Sequence, residues 1–136
     1  MKNEDYVPAG LSTVVPYLTV ADAAGLIQFA QHVFGADEVE RSVRPDGSIG
    51  TAVLKIGNSV IEVSNATATW KPIPAALHIF VPDTDAAYKR AIAAGATSLY
   101  EPADMPYGER SGGVADSNGV YWYIATNIGR DNSSSS

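Results

Sequence analysis

The 136-residue chain has 15 acidic against 9 basic residues, and its formal net charge of −6 disfavours nucleic-acid binding, which needs clustered lysine and arginine. It contains no cysteine, which excludes disulfides, thiolate metal sites and cysteine nucleophiles. A hydrophobic content of 46% at this length predicts one globular domain.

The N-terminal sequence predicts an arm over residues 1–12, with Pro8 and Gly10. Its first five residues lack the apolar core of a signal peptide, and no apolar stretch approaches membrane-spanning length. We therefore expect a cytoplasmic protein without a membrane partner.

The first regular elements are a strand and a helix. The apolar run Val15–Val20 predicts the strand, and apolar residues at helical spacing predict a helix over residues 22–34. Asp22 suits the N-cap, because its carboxylate can accept from the free amides of the first turn. Gly35 suits the left-handed position that ends a helix.

Two hairpins follow this helix. One turns at Pro45-Asp46-Gly47 and the other at Gly57-Asn58, each between β-rich runs. They complete a first unit over residues 13–64. The segment 65–75, with small polar residues and two prolines, is predicted to be a linker.

The second unit, predicted over residues 76–128, repeats this order. A strand at 76–81 precedes a helix at 84–94 capped by Asp83, and a turn at Asn118-Gly119 precedes another β-rich run. Glycines and prolines over 102–113 predict a long loop, and such loops are often functional. Residues 129–136 are predicted to be a flexible tail.

The repetition predicts the fold class. A strand–helix–strands unit of about sixty residues cannot bury both of its faces alone, so two copies must pack or pair to close a core. We expect an α+β protein with two tandem βαβββ units that form a curved mixed sheet around a cavity.

Three groups of segments carry a family resemblance over residues 13–128. They are Val15-Pro16-Tyr17-Leu18 with Val33-Phe34-Gly35-Ala36, Leu77-His78-Ile79-Phe80-Val81-Pro82-Asp83, and Tyr107-Gly108-Glu109-Arg110 with Trp122-Tyr123-Ile124-Ala125-Thr126. The chain resembles the vicinal oxygen chelate superfamily, which contains glyoxalases, bleomycin-resistance proteins and extradiol dioxygenases. Within it, these segments are similar to the PhnB-like branch. The resemblance implies the fold strongly and the function weakly, because this scaffold carries several chemistries and simple binding.

The resemblance also implies where a metal would lie. Enzymes of this superfamily usually hold a divalent metal with histidine near the start of each unit's first strand and glutamate in each last strand. Alignment of the two units places Val15 and Ala76 at the histidine positions, and Glu62 and Tyr123 at the glutamate positions. Of these four positions, only Glu62 has the residue type that binds metal in the enzymes. We therefore expect no metal and no other cofactor. The alternative is a displaced two-ligand site in which Glu62 and His78 hold zinc, nickel or manganese.

Both titratable candidates have other interpretations. His78 is either a metal ligand, a half-buried imidazole bound to a neighbour, or a polar group that faces a ligand. Glu62 is flanked by apolar residues, so its carboxylate is a candidate catalytic base, and it can equally serve a structural role or face solvent.

Aromatic residues from several elements predict a ligand cavity, because rings stack planar molecules while hydroxyl groups orient them. Core packing is the alternative, especially for Trp122. Arg110 is a candidate clamp for an anionic group, with a salt bridge to Glu109 or Asp116 as its alternative. The predicted ligand-binding residues are Tyr17, Thr51, His78, Tyr107, Arg110, Trp122 and Tyr123.

These observations predict a metal-free protein that binds a planar or amphipathic organic molecule between paired sheets, as bleomycin-resistance-like proteins do. The alternative is a lyase, isomerase or dioxygenase-like enzyme with Glu62 as base or metal ligand. A third interpretation is a scaffold whose sheet serves only dimerisation. We expect a homodimer, because a second chain commonly completes superfamily cavities.

Overall fold

The computed structural model describes residues 6–129, which form two repeats of strand, helix and three strands. The elements are β1 (Tyr17–Val20), α1 (Ala23–Phe34), β2 (Asp37–Val43), β3 (Ile49–Ile56), β4 (Ser59–Asn65), β5 (Ala76–Phe80), α2 (Thr84–Ala93), β6 (Thr97–Met105), β7 (Glu109–Ala115) and β8 (Tyr121–Asn127). The predicted α+β class and tandem βαβββ order are confirmed. Residues 1–5 of the predicted arm and 130–136 of the predicted tail lie outside the described residues.

Each repeat forms one four-stranded mixed sheet, with the orders β1-β4-β3-β2 and β5-β8-β7-β6. In both sheets the first strand runs parallel to the last, and the other neighbours are antiparallel. The described chain divides into two compact units. The first contains residues up to 31 with 35–73, and the second contains 32–34 with the residues from 74 onward. The boundary between Ile73 and Pro74 lies within the segment 65–75, and the other two boundaries lie at the C-terminal end of α1.

The helix caps follow the sequence prediction. Asp22 accepts a hydrogen bond from the Gly25 amide at 3.0 Å, and Asp83 accepts one from the Ala86 amide at 3.1 Å. Gly35 ends α1 at φ 69°, a left-handed conformation that glycine adopts without a Cβ clash. The apolar face of α1 is buried, as its helical spacing predicted.

The buried face of α2 does not include Ile92. Ala87 and Ala91 are buried on α2, whereas Ile92 is 38% exposed. Consecutive helical residues are rotated by about 100°, so Ile92 turns away from the buried face that Ala91 occupies.

The predicted loop over 102–113 is wrong, because most of it forms β6 and β7. The two strands meet at a turn where Gly108 has φ 94°. Tyr100 pairs with Gly113 and Ala103 pairs with Ser111, so β6 has one extra residue at a bulge that contains Pro102. We interpreted proline and glycine as signs of a loop, whereas here they lie in a bulged hairpin.

Neither helix in the described part of the chain has the length and apolar character required to cross a membrane.

Candidate functional site

The second sheet has one face covered by α2 and an opposite face that we call the open face. The helix packs against β6, β7 and β8. On the covered face Trp122, Ile124 and Val114 are fully buried. Strand alternation places His78 and Tyr123 in one row on the open face, next to Gly113 of β7.

Aromatic rings cluster on this open face. The ring of Tyr123 lies 6.4 Å from the rings of both Tyr100 and Tyr121, and His78 stacks on Phe80 at 4.6 Å between ring centroids. Tyr121 and Phe80 are 42% and 58% exposed. Of the predicted ligand-binding residues, His78 and Tyr123 therefore lie on this face.

Sequence reasoning missed Phe80 and Tyr100 as members of this set. Phe80 lies two residues beyond His78, so strand alternation alone could have found it. Tyr100 was missed because the predicted loop removed its strand from the sheet. In the structure its hydroxyl lies 2.7 Å from the Ser111 hydroxyl, which fixes the ring above β7.

Glu109 is a third residue that sequence reasoning missed as a site residue. It is 4% exposed, and its Oε2 lies 3.2 Å from Nε2 of His78, whose side chain is 45% exposed. Glu109 lines a cavity of about 610 Å³ in the second unit. The lining residues are Phe80, Val81, Pro82, Gly108, Glu109, Thr126 and Asn127.

Tyr107 lies in the turn that precedes Glu109. Its ring is 54% exposed. Desolvation raises the pKa of its hydroxyl, and the negative charge of Glu109 raises it further. The negative charge of this carboxylate therefore acts on the Tyr107 hydroxyl.

Arg110 lies on the opposite side of the sheet, where it binds two carboxylates. Its Nε and Nη2 donate to the two oxygens of Asp85 at 2.6 and 3.0 Å, and its Nη1 donates to Asp104 at 3.0 Å. The hydrogen bond from Arg110 lowers the pKa of Asp85, and hydrogen bonds to the two carboxylates raise the pKa of Arg110. The expected partners, Glu109 and Asp116, are therefore replaced by Asp85 and Asp104. A guanidinium already bound to two carboxylates is poorly placed to clamp an anionic ligand.

Trp122 is a core residue. It is 1% exposed, and its indole Nε1 donates to Oδ2 of Asp116 at 2.9 Å. A ligand has no indole surface to contact here, so we remove Trp122 from the candidate site. The alternative interpretation, core packing, describes its environment.

The first unit has its own cluster of predicted site residues. Tyr17 pairs with Glu62 across β1 and β4, and the Tyr17 hydroxyl lies 3.2 Å from Oγ1 of Thr51. Glu62 is half-buried at a cavity of about 530 Å³. The lining residues are Pro8, Ala9, Gly10, Leu11, Val39, Glu40, Ser42, Thr51, Val53, Lys55, Val60 and Glu62.

The donor chemistry at the superfamily's metal positions does not fit a divalent ion. In the first repeat Glu62 is the register partner of Tyr17, and in the second repeat Tyr123 is the register partner of His78. These equivalent pairings support the alignment of the two repeats. Val15 and Ala76, two residues before Tyr17 and His78, have no donor atom in their side chains. Within residues 6–129, no three or more histidine, cysteine, aspartate or glutamate side chains cluster as a metal site.

Comparison with known proteins identifies the family. A sequence model of the Glyoxalase/Bleomycin resistance protein/Dioxygenase superfamily matches residues 10–124. The chain belongs to this superfamily. An uncharacterized protein of Mycobacterium bovis, Mb0911c, is 32% identical over 120 residues, which cover 80% of this chain and 79% of that protein.

Solved structures agree on the fold. The crystal structure of TioX from Micromonospora sp. ML1 matches with a TM-score of 0.71 at 24% identity, over 86% of this chain and 99% of that chain. A PhnB protein from Bacillus cereus matches with a TM-score of 0.66 at 14% identity, over 85% and 99% of the two chains. At these identities the likeness shows the fold alone. The sequence model confirms membership of the superfamily, and the PhnB-like branch stays a prediction.

Proposed function

We propose that this protein is a metal-free small-molecule-binding member of the superfamily that holds a planar or amphipathic organic ligand against the open face of the second sheet. The observation that carries the proposal is the aromatic surface formed by Tyr100, Tyr121, Tyr123 and Phe80. Such rings offer a large apolar contact area with few rotatable bonds, and tyrosine adds hydroxyl groups that orient a ligand. The earlier expectation that the ligand lies between the two sheets stays a prediction.

The metal-free part of the proposal is supported by donor chemistry. Transition metals in proteins need imidazole, carboxylate or thiolate groups that converge on one point. Valine and alanine at positions 15 and 76 supply no such group.

The first test is elemental analysis of untagged protein purified without a chelator, together with Glu62→Ala and His78→Ala. We expect no stoichiometric metal, and no thermal shift on addition of zinc, nickel or manganese. About one metal ion per chain, lost in either variant, would overturn the metal-free proposal and favour the two-ligand alternative.

The second test is ligand binding by NMR titration with planar bicyclic probes. We expect the largest shifts at residues of β5 and β8, and a loss of about tenfold in affinity for Tyr123→Ala. Trp70→Ala is the matched control, because Trp70 is a 70% exposed aromatic residue in the first unit. Equal losses in both variants would contradict a site on this open face.

A second candidate function is a lyase, isomerase or dioxygenase-like enzyme that uses Glu62 as a base. It is favoured by the half-buried position of this carboxylate at the cavity of the first unit. A base must be partly desolvated and within reach of a substrate proton. Loss of turnover in Glu62→Gln, with unchanged thermal stability and unchanged probe binding at the second sheet, would establish this role.

We also propose that the chain acts as a cytoplasmic homodimer, because superfamily cavities are commonly completed by a second copy. Sedimentation at micromolar concentration should then give twice the chain mass of 14.3 kDa. A monomeric mass would refute the dimer.

A further inference from the structure

We propose that Glu109 anchors an organic cation, so that the ligand of the second unit is a planar aromatic molecule with a positive charge. This inference rests on the proposed function, and it adds the charge of the ligand and the residue that recognises it. Glu109 was not among the residues expected to bind a ligand.

The first argument is the burial of Glu109. An ionised carboxylate that is 4% exposed has lost most of its hydration, and it needs positive charge or hydrogen-bond donors in return. Among the described residues, the salt-bridge contact to Glu109 comes from His78, which carries a charge only when protonated. Arg110 follows directly in the sequence, but it turns to the other face and binds Asp85 and Asp104. Within residues 6–129, no lysine or arginine side chain lies at salt-bridge distance from this carboxylate, so the cationic group of a ligand can bind it.

The second argument is the composition of the cavity that Glu109 lines. Phe80 contributes an aromatic ring, Val81 and Pro82 contribute apolar contacts, and Thr126 and Asn127 contribute polar side chains. Among the described residues, its lining contains no lysine or arginine. The face of an aromatic ring attracts cations electrostatically, and a nearby carboxylate adds to this attraction. An anionic ligand would meet repulsion from Glu109 in the same cavity.

The third argument is that the aromatic surface and the carboxylate are continuous. His78 contacts Glu109 and stacks on Phe80, and it pairs in register with Tyr123. A flat ligand against the tyrosines would thus lie beside the His78–Glu109 pair. The geometry favours a heteroaromatic cation over a compact ammonium ion, because the former also uses the rings.

The experiment compares three bicyclic probes of similar size in NMR titrations of the full chain. They are the 1-methylquinolinium cation, neutral 2-naphthol and the 2-naphthoate anion. We expect the cation to bind tightest and the anion weakest. In Glu109→Gln the cation should lose roughly tenfold to a hundredfold in affinity, the range for a contact to a charged group, while the neutral probe changes little.

Two further variants keep the test decisive. Glu101→Gln makes the same charge change at an exposed position of β6, so it should leave the preference for the cation unchanged. His78→Gln removes the imidazole that competes for the carboxylate, so cation binding should be retained or strengthened. Thermal unfolding of each variant shows that it is folded.

The three probes distinguish a failure of the cation site from a failure of the proposed ligand-binding function. If 2-naphthol binds to the open face but the cation has no advantage, or Glu109→Gln leaves that advantage intact, the cation site is wrong and the proposed function stands. If none of the three probes shifts residues of β5 or β8, both are wrong.

Discussion

Asp116 organises the turn before β8 and fixes a core aromatic residue at the same time. Its Oδ1 accepts hydrogen bonds from the backbone amides of Asn118 and Val120, and its Oδ2 accepts one from the indole of Trp122. The residue is 7% exposed. Its loss would therefore remove the acceptor of these three hydrogen bonds.

We expect Asp116→Ala to lower the free energy of unfolding by about 3 kcal/mol, because each unsatisfied buried donor costs roughly 1–3 kcal/mol. Urea unfolding at neutral pH measures this loss. Asp46→Ala is the matched control, since Asp46 accepts from Ser48 in an exposed turn of the first unit. A loss no larger than that of the control would contradict the structural role of Asp116.

A second residue-scale prediction concerns the pH dependence of the Asp85–Arg110 ion pair. Arg110 lowers the pKa of Asp85 in the folded state, whereas the pKa of an aspartate in the unfolded chain is about 3.9. The stabilisation is therefore complete above the unfolded pKa, and it is lost as pH falls through the lower folded pKa. Asp85→Asn should be less stable than the parent at pH 7, and the difference in urea midpoint should shrink below about pH 4. A difference that is constant between pH 7 and pH 3 would exclude this linkage.

At the scale of elements, β7 is built around two adjacent glycines in a central strand. A Cβ at Gly113 would lie 2.4 Å from Cε1 of Tyr100, and one at Gly112 would lie 3.1 Å from Cγ of Pro102 and 3.2 Å from Cδ2 of Tyr88. Neighbouring side chains thus occupy the space above both faces of the strand. The glycines are required by packing here, because neither has a positive φ.

We expect Gly113→Ala to destabilise the protein by about 1–3 kcal/mol, since an added methyl group in a filled site forces its neighbours to move. In the double variant Gly113→Ala/Tyr100→Ala the obstructing ring is absent, so the cost of the alanine should largely disappear. Urea unfolding of the four proteins in this double-mutant cycle gives the coupling energy. Additive effects would mean that Tyr100 does not oppose the Cβ.

The sequence predicted the elements that have local signals. Asp22, Asp83 and Gly35 define helix ends through contacts with residues a few positions away, so composition and spacing were sufficient. The β6–β7 hairpin was not predicted, because its bulge at Pro102 and its paired glycines depend on Tyr100 and Tyr88. Those contacts are tertiary, and propensity does not describe them.

The candidate site was predicted only in part, for a related reason. Sequence reasoning named His78 and Tyr123, which are register partners in the second sheet, and it named Tyr17, Thr51 and Glu62, which meet in the first unit. Glu109 was missed because its contact with His78 joins β7 to β5, which are not neighbours in the sheet. Arg110 was misassigned because a single sequence does not say which face of an unrecognised strand a residue occupies.

At the scale of the whole molecule, the net charge of −6 should favour positive ligands whichever residue anchors them. Long-range attraction is screened by salt, since the Debye length falls from about 30 Å at 0.01 M to about 10 Å at 0.1 M. The Kd of the 1-methylquinolinium cation should therefore rise with salt, that of 2-naphthoate should fall, and that of 2-naphthol should stay constant. In Glu109→Gln the cation should bind more weakly at every salt concentration but keep most of its salt dependence, because one charge of several is lost. If the salt dependence disappears in that variant, the attraction is local to Glu109 and the net charge contributes nothing to binding.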